Sequence, residues 1–540
     1  MINRAMKIHE KVEEVLRLRG MDDDDIEMFL NPSVEQIRDP GGLRDIDRAV
    51  DLIIHHMRRG STIMVHGDYD ADGITALSLL YRVLSRVYSP DKLVPYIPDR
   101  FVEGYGLSMR AVRKAVEDGI SLIITADCGI TSVEEVDEAR RHSIDVIITD
   151  HHEPPETLPR ASAIVHPMLS GDYPFRHLTG VGVAFKLMQA LYNRLGKPFR
   201  HLLWDLDLVA IGTVADMGEL VDENRVMVSL GLRVLRETKK AGLKALKFVV
   251  GVDGYVSTWH IAFLLAPRLN SAGRISDPMH SFNLLTERDG NRALLLSHRL
   301  NRLNQERQKY EKRILDRAMA QAMRKAGRDV LVLWDWGWHE GIIGIVASRI
   351  VSRWNRPAII ISVQGETSRG SARSTEGFHM QRALSELSYM FENFGGHEMA
   401  AGFTIKTEYL EEFEEKINRI AREHFAGYEP STPDAEAVLR PHDLNDLFVR
   451  DMRRMAPFGN GNPSPLFLMN SLKVVGKELR GRTLYITLST GRDELYGRIY
   501  DPSDRWMGLK EGDVIDLLMK FREVVRLGGQ FLIEPVDFSR

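Results

Sequence analysis

The 540-residue chain is 44% hydrophobic and 27% charged with a net charge of −4, which argues against general disorder and allows roughly three or four domains of about 100–200 residues, each able to bury a core. Its one cysteine, Cys128, rules out an intramolecular disulfide and a CxxC zinc site. The start, MINRAMKIHEKVEEVLRLRG, is charged and lacks a signal core, and no run approaches about 18 apolar residues, so neither secretion nor a membrane span is expected and a reducing cytoplasm fits.

In chain order, residues 1–45 read as a short helical lead-in whose acidic run Asp22–Asp25 is a solvated helix start. Over 46–245, the β-branched runs STIMVHG, SLIITADCG and DVIITDHH alternate with helical stretches at Ile74–Val87, Ser108–Glu117 and Val133–Arg140. That alternation predicts a parallel sheet in an α/β layer fold. Residues 246–328 read as a connector. Within it, Leu296, Leu300, Leu303, Tyr310 and Ile314 recur at helical spacing and predict a long helix over 291–328, with eleven basic and three acidic residues. Such a helix is either a solvated face or a phosphate-facing connector, and the second reading is preferred. A second α/β unit spans 329–428. Glu429-Pro430-Ser431-Thr432-Pro433 then opens 429–540 as a linker, and the short strands SLKVVGKEL, TLYITLS, ELYGRIY, DVIDLLMKF and QFLIEPV predict a small barrel of OB size.

Chemistry concentrates where the first three runs end. They deliver His66-Gly67-Asp68-Tyr69-Asp70-Ala71-Asp72, Asp127-Cys128 and Asp150-His151-His152. In an open parallel sheet, ligands bind at the carboxyl edge of the strands, so these residues are expected in one crevice. One Asp at a strand end is commonly a cap, but three such runs within about 90 residues are hard to assign to chance. Acids packed together repel unless cations lie between them, and carboxylates with one or two imidazoles suit Mn²⁺ or Mg²⁺ better than zinc or copper. Asp216, after the apolar run LVAIGTVA, is a fourth candidate. A net charge near zero neither supports nor excludes nucleic acid, since only a binding channel has to attract phosphates.

HGDYDADG, DCG, DHH and TVADM, in this order, resemble the successive motifs of the DHH phosphoesterase superfamily. LTGVGVAFKL (178–187), LAPRLNSAGRI (265–275), WHEGIIGIVASRI (338–350), SARS (371–374) and FGGHEMAAGF (394–403) narrow the resemblance to the RecJ-like exonucleases over nearly the whole chain. Two positions depart from the pattern: Gly218-Glu219 stands where many relatives have Val-Pro, and His166 where Asn is common. Neither removes a matched ligand.

The resemblance implies two α/β domains, DHH and DHH-associated, facing across a cleft, joined by a long helix and followed by an OB-like barrel. It implies two divalent cations, Mn²⁺ or Mg²⁺, on His66, Asp70, Asp72, Asp127, His151 and Asp216. Asp127 is then the bridging carboxylate, His152 faces the scissile phosphate, and Cys128 is read as a small buried residue beside Asp127. Arg268, Asn270, Arg274, Ser371, Arg373, Gly395, Gly396 and His397 are the implied substrate pocket, offering guanidinium, hydroxyl and open backbone to phosphate. The implied activity is 5′→3′ hydrolysis of single-stranded DNA to mononucleotides in repair and recombination. Implied partners are single-stranded DNA, single-strand-binding protein, helicases or other repair and replication proteins, with no membrane. Two alternatives stand beside it: a DHH phosphodiesterase on short oligonucleotides or signalling dinucleotides, and a non-catalytic replication scaffold.

Overall fold

The computed structural model describes residues 7–424, 434–500, 502–527 and 530–539. The expected linker at 429–433 lies outside them. Contacts divide the chain into two compact units, Met1–Ala266 with Thr432–Arg540, and Pro267–Ser431. No helix of the described residues is long and apolar enough to cross a membrane.

In the first unit, β1 (Thr62–Gly67), β2 (Leu93–Tyr96), β3 (Ile120–Ala126), β4 (Asp145–Thr149) and β5 (Ala163–Val165) form a parallel sheet in the order β2-β1-β3-β4-β5. β3 is central, and Leu122, Ile123, Ile124 and Ala126 are fully buried, as a strand covered on both faces requires. The connection reverses direction between β1 and β3, so a crevice opens at their carboxyl ends, the usual ligand position in such sheets. The sheet contains two strands that the sequence pattern does not announce. β2 is a four-residue edge strand with Pro95 inside it, and β5 has three residues.

The second unit holds β6 (Leu331–Trp336), β7 (Ala358–Val363), β8 (Thr367–Arg373), β9 (Phe391–Gly396) and β10 (Ala400–Lys406), ordered β6-β7-β8-β10-β9. Only β6 and β7 run parallel. The long helix, Gly290–Arg324, is no bare connector. Ile314, Ala318 and Ala322 join Ile342, Val346 and Ile350 of the helix Glu340–Trp354 in one core against this sheet. Several cations of the basic stretch pair inside their own unit: Arg307 with Glu311 (2.7 Å), Arg317 with Asp335 (3.2 Å) and Lys325 with Glu414 (2.8 Å). The residues read as a connector, 246–328, therefore divide between the two units at Ala266.

The C-terminal strands are β11 (Ala437–Leu439), β12 (Phe467–Arg480), β13 (Thr483–Ser489), β14 (Glu494–Tyr500), β15 (Val514–Leu527) and β16 (Gln530–Ser539). β12 pairs with β15 as well as with β13, which closes the five long strands into a barrel, and β11 adds to β12. Its core is shared. Val12, Val15 and Leu16 of the helix Glu10–Leu18, and Ile26 and Leu30 of the helix Asp23–Leu30, pack with Phe448, Met452, Phe467 and Phe521. Asp22 and Asp25 form the capping box of the second of these helices, so the acidic run is the expected helix start. Arg19 fixes the arrangement through Glu436 at 2.7 Å.

Candidate metal centre

β1 runs into a tight turn and then the helix Ala71–Leu84, which Asp70 caps: its Oδ1 accepts from the N–H groups of Asp72 (2.9 Å) and Gly73 (3.0 Å). Capping and ligation do not compete here, because one oxygen caps and the other remains available. Asp72, nearly fully buried, accepts from Gly180 N (2.7 Å) and Val181 N (3.0 Å), the first N–H groups of the helix Gly180–Arg194. A helix N-terminus favours a carboxylate electrostatically. The Gly-x-Gly segment therefore serves to orient an acid. Position 180 cannot carry a side chain, since a Cβ there would sit 2.3 Å from Asp127 Oδ1. Asp127 follows β3 in the left-handed region at φ 64°, a conformation that non-glycine residues hold at a cost and that collects at functional sites.

These acids converge with the histidines after β4. Three sets of donor atoms lie within 4.8 Å of one another: Asp68, Asp70 and Asp127; Asp72, His151 and Asp216; and Asp127, His151 and His152. Asp216 arrives at the C-terminal end of the helix Leu206–Ala215, unlike the strand-borne acids. His151 Nε2 lies 3.1 Å from Asp127 Oδ1 and 3.8 Å from Asp216 Oδ2. Yet neither His151 Nε2 nor Asp127 Oδ1 has a hydrogen-bond partner among the described residues. Buried polar atoms are normally satisfied. Unbonded donors aimed at a common point are the arrangement a cation completes.

The electrostatics agree. Burial, then the charges of Asp72 and Asp70, push the Asp127 carboxyl well above the usual range. Burial and Asp216 do the same to Asp72, and burial and Asp70 to Asp68. Burial and Asp70 lift Asp216 to about 7. Burial, with His152 beside it, lowers His151 to about 3, so its imidazole is neutral, as a ligand must be. For His152 burial also opposes the charged form, but the Asp150 hydrogen bond and charge prevail and raise it to about 9. Asp150, fully buried, accepts His152 Nδ1–H at 2.7 Å, and Tyr105 Oη lies 2.8 Å from the same nitrogen while donating to the Asp127 carbonyl. His166 Nε2 holds the His152 carbonyl at 2.8 Å, so the departure from Asn at 166 keeps a donor to this strand end.

Some expectations are redistributed. His66 is fully buried beside the cluster, stacked on Tyr96 with Nδ1 3.5 Å from Cys128 Sγ, and is not among the three converging sets. Asp68 is. Cys128 is fully buried, in keeping with a small packed residue. Asp68, Asp150 and Tyr105 are the residues that sequence reasoning left unassigned. The first two stand inside the quoted motifs, whereas Tyr105 lies in a loop with no local signal.

In the second unit, Ser371 and Arg373 share β8, and Arg373 Nη1 lies 3.3 Å from Ser371 Oγ. Both lie against the N-terminal half of the helix Glu340–Trp354, where a Cβ on Gly344 would meet them at 3.0 and 3.2 Å. Arg274 joins this corner through the Gly341 carbonyl at 3.0 Å. Gly395 and Gly396 lie on β9, one strand beyond β10, with the exposed His397 just after them. Arg268 reaches Asn301 at 3.3 Å, and Asn270 shares its helix, Ala266–Ile275.

Comparison with known proteins matches the DHH family, N-terminal domain, to residues 62–213, the DHHA1 domain to 327–423 and the RecJ OB domain to 435–525. The single-stranded-DNA-specific exonuclease RecJ of Bacillus subtilis is 39% identical over 87% of this chain, which spans 60% of that protein's length. The Escherichia coli protein of the same name is 36% identical over 79% of this chain and 78% of its own. The crystal structure of RecJ with Mn²⁺ from Thermus thermophilus superposes with a TM-score of 0.84 at 30% identity, covering 99% of this chain and 76% of that one, and a Mg²⁺ complex of the same protein also matches. Matching domains in matching order, and a relative aligned over more than three quarters of both chains, place this protein in the RecJ family of DHH-domain proteins.

Proposed function

We infer that the chain is a two-cation 5′→3′ exonuclease that hydrolyses single-stranded DNA to mononucleotides. The observation that carries this reading is the convergence of Asp68, Asp70, Asp72, Asp127, His151 and Asp216, with Asp68 Oδ1, Asp127 Oδ1 and His151 Nε2 buried and without a hydrogen-bond partner among the described residues. The donor set fits Mn²⁺ or Mg²⁺: Asp68, Asp70 and Asp127 would hold one ion, and Asp72, Asp127, His151 and Asp216 the other. Bound ions supply Lewis acidity and a water acidic enough to be deprotonated near neutral pH. The residues do the rest. Gly180 and Val181 orient Asp72, and Asp150 fixes the His152 tautomer with Nδ1 protonated. His152 Nε2 is thereby left to hold or pass a proton at a phosphate oxygen.

Single-strand preference draws support from a cavity of about 1010 Å³ within the first unit, lined by Met217 and Gly218 and by the aromatic Trp259, Phe263, Tyr485 and Tyr500. Stacking of a base on an aromatic ring is worth about 1–3 kcal/mol, and any base qualifies. Digestion of 5′-labelled and 3′-labelled single strands with Mn²⁺ and Mg²⁺ tests the reading. Release of mononucleotide label from the 5′ end is expected, and rapid attack on blunt duplex or from the 3′ end refutes it.

The Ser371–Arg373 corner of the second unit is read as the pocket for the terminal phosphate, since guanidinium forks pair with phosphate oxygens. Arg373→Ala should lower kcat/KM on a 5′-phosphorylated strand by about 10- to 150-fold, the loss of roughly 1.5–3 kcal/mol for a hydrogen bond to a charged group. Mn²⁺ affinity measured by calorimetry should be unchanged. Wild-type cutting by this variant would make Arg373 a structural arginine.

A further inference from the structure

The metal-bearing turn after the helix Leu206–Ala215 is held from outside the α/β sheet. The helix ends on Asp216, whose N–H still bonds Gly212 O at 2.9 Å. Met217 then takes a left-handed φ of 60°, and Gly218 N closes back on Thr213 O at 2.9 Å. These bonds complete the helix end but leave the Met217 carbonyl and the Leu220 N–H facing away from it. Both meet one residue of the C-terminal domain. Asn460 Nδ2 donates to Met217 O at 3.1 Å, and Leu220 N donates to Asn460 O at 2.7 Å.

The loop that presents Asn460 is itself anchored. The buried Asn462 donates from Nδ2 to Met455 O (3.0 Å) and Pro457 O (2.8 Å) and accepts from Arg19 (3.0 Å). The Phe458 carbonyl accepts from Thr258 Oγ1 at 2.8 Å. Gly459 permits the approach, since a Cβ there would lie 2.7 Å from Leu220 Cδ1.

We propose that Asn460 is a positioning residue for the metal centre: its two hydrogen bonds fix the turn 217–220 and, through it, the carboxylate of Asp216. The need is physical. Asp70 and Asp72 are oriented by backbone N–H groups in the first turns of helices, whereas Asp216 sits at a helix C-terminus. The C-terminal end of a helix frays and presents carbonyls, with no free N–H group to offer a carboxylate. Ligands must be held to within about 0.5 Å to bind a metal well, and groups behind the ligands supply that restraint. The inference rests on the reading of Asp216 as a ligand.

The test is Mn²⁺ titration calorimetry on the full chain, with single-strand kinetics and a thermal melt, for Asn460→Ala, Asn460→Asp and Asp216→Ala. Asn460→Asp keeps the shape but exchanges the donor for an acceptor facing the Met217 carbonyl, and it serves if the alanine variant fails to fold. Both Asn460 variants should bind Mn²⁺ about tenfold more weakly, the low end of the roughly 10- to 100-fold expected for groups behind a ligand. Saturating Mn²⁺ should restore turnover, and KM for the strand should stay unchanged. Wild-type Mn²⁺ affinity in folded Asn460→Asp, while Asp216→Ala is weakened, overturns the positioning role. So does a raised KM with unaltered Mn²⁺ affinity, which would make Asn460 a nucleic-acid contact. Undiminished affinity in Asp216→Ala removes Asp216 from the ligand set, and both readings fall together.

Discussion

Asp127→Asn should abolish hydrolysis and at the same time stabilise the metal-free protein. Asp127 contributes to two of the three converging donor sets, so its loss removes more than one contact to the cations. Turnover should fall by more than about 10³-fold, the upper end of what losing a single stabilising donor costs in other active sites. The stability gain follows from the same crowding. Asp68, Asp72 and Asp127 are buried acids held above their ordinary range by burial and by the neighbouring acids Asp70 and, for Asp72 and Asp127, Asp216. In the unfolded chain they ionise near the ordinary aspartate value of 3.8, so between that pH and their native values the folded state binds more protons. Stability of the metal-free protein therefore falls as pH rises from about 3.8, through about 7 for Asp216. Cations reverse the loss by binding only the folded state. Melts of EDTA-treated protein at about pH 5 and about pH 8, on either side of the Asp216 titration, check this. The wild type should melt lower at the higher pH, Asp127→Asn should narrow the difference, and Mn²⁺ should raise only the wild type substantially. Retained turnover in the variant, or a wild-type melt insensitive to Mn²⁺, would refute the assignment.

His152→Ala should lower kcat by roughly 10²–10⁴-fold, the range for a positioned proton donor or acceptor, without a matching loss of Mn²⁺. The imidazole is gripped at Nδ1 by the buried Asp150 at 2.7 Å, while Tyr105 Oη lies against both ring nitrogens, at 2.8 Å from Nδ1 and 3.3 Å from Nε2; with Nδ1–H committed to Asp150, Nε2 is the working atom. Asp150→Asn should reproduce much of the defect by releasing the tautomer. Calorimetry separates the roles. Because His152 also stands within reach of Asp127 and His151, a fall in Mn²⁺ affinity equal to the fall in rate would make it a ligand instead.

The strands that carry the acids were legible because each is a β-branched run ending in charge. β2 and β5 were not: four residues interrupted by proline and three residues leave too little pattern. The donor cluster was legible as a set of motifs, but its membership was not. Asp68 and His66 stand two residues apart at the same strand end, and only the turn geometry decides which converges with Asp70 and Asp127. Asp216 followed an apolar run that turned out helical, so its approach differs from that of the other acids. Tyr105 and Asn460 act through contacts with residues distant in sequence, which no local periodicity encodes. The same holds for the helices Glu10–Leu18 and Asp23–Leu30. Their apolar faces were visible, but not the barrel against which they pack.

That shared core has a consequence for biosynthesis. Leu16 packs in one cluster with Phe467, about 450 residues later, and ribosomes add roughly 5–20 residues per second. The amphipathic helices would emerge roughly 20–90 s before the strands that cover them. During that interval their apolar faces are open to water, to the other nascent segments and to chaperones, while the α/β sheet between them can already fold. The barrel thus matures after the α/β sheet that precedes it in the chain, and it matures only by capturing helices made before that sheet.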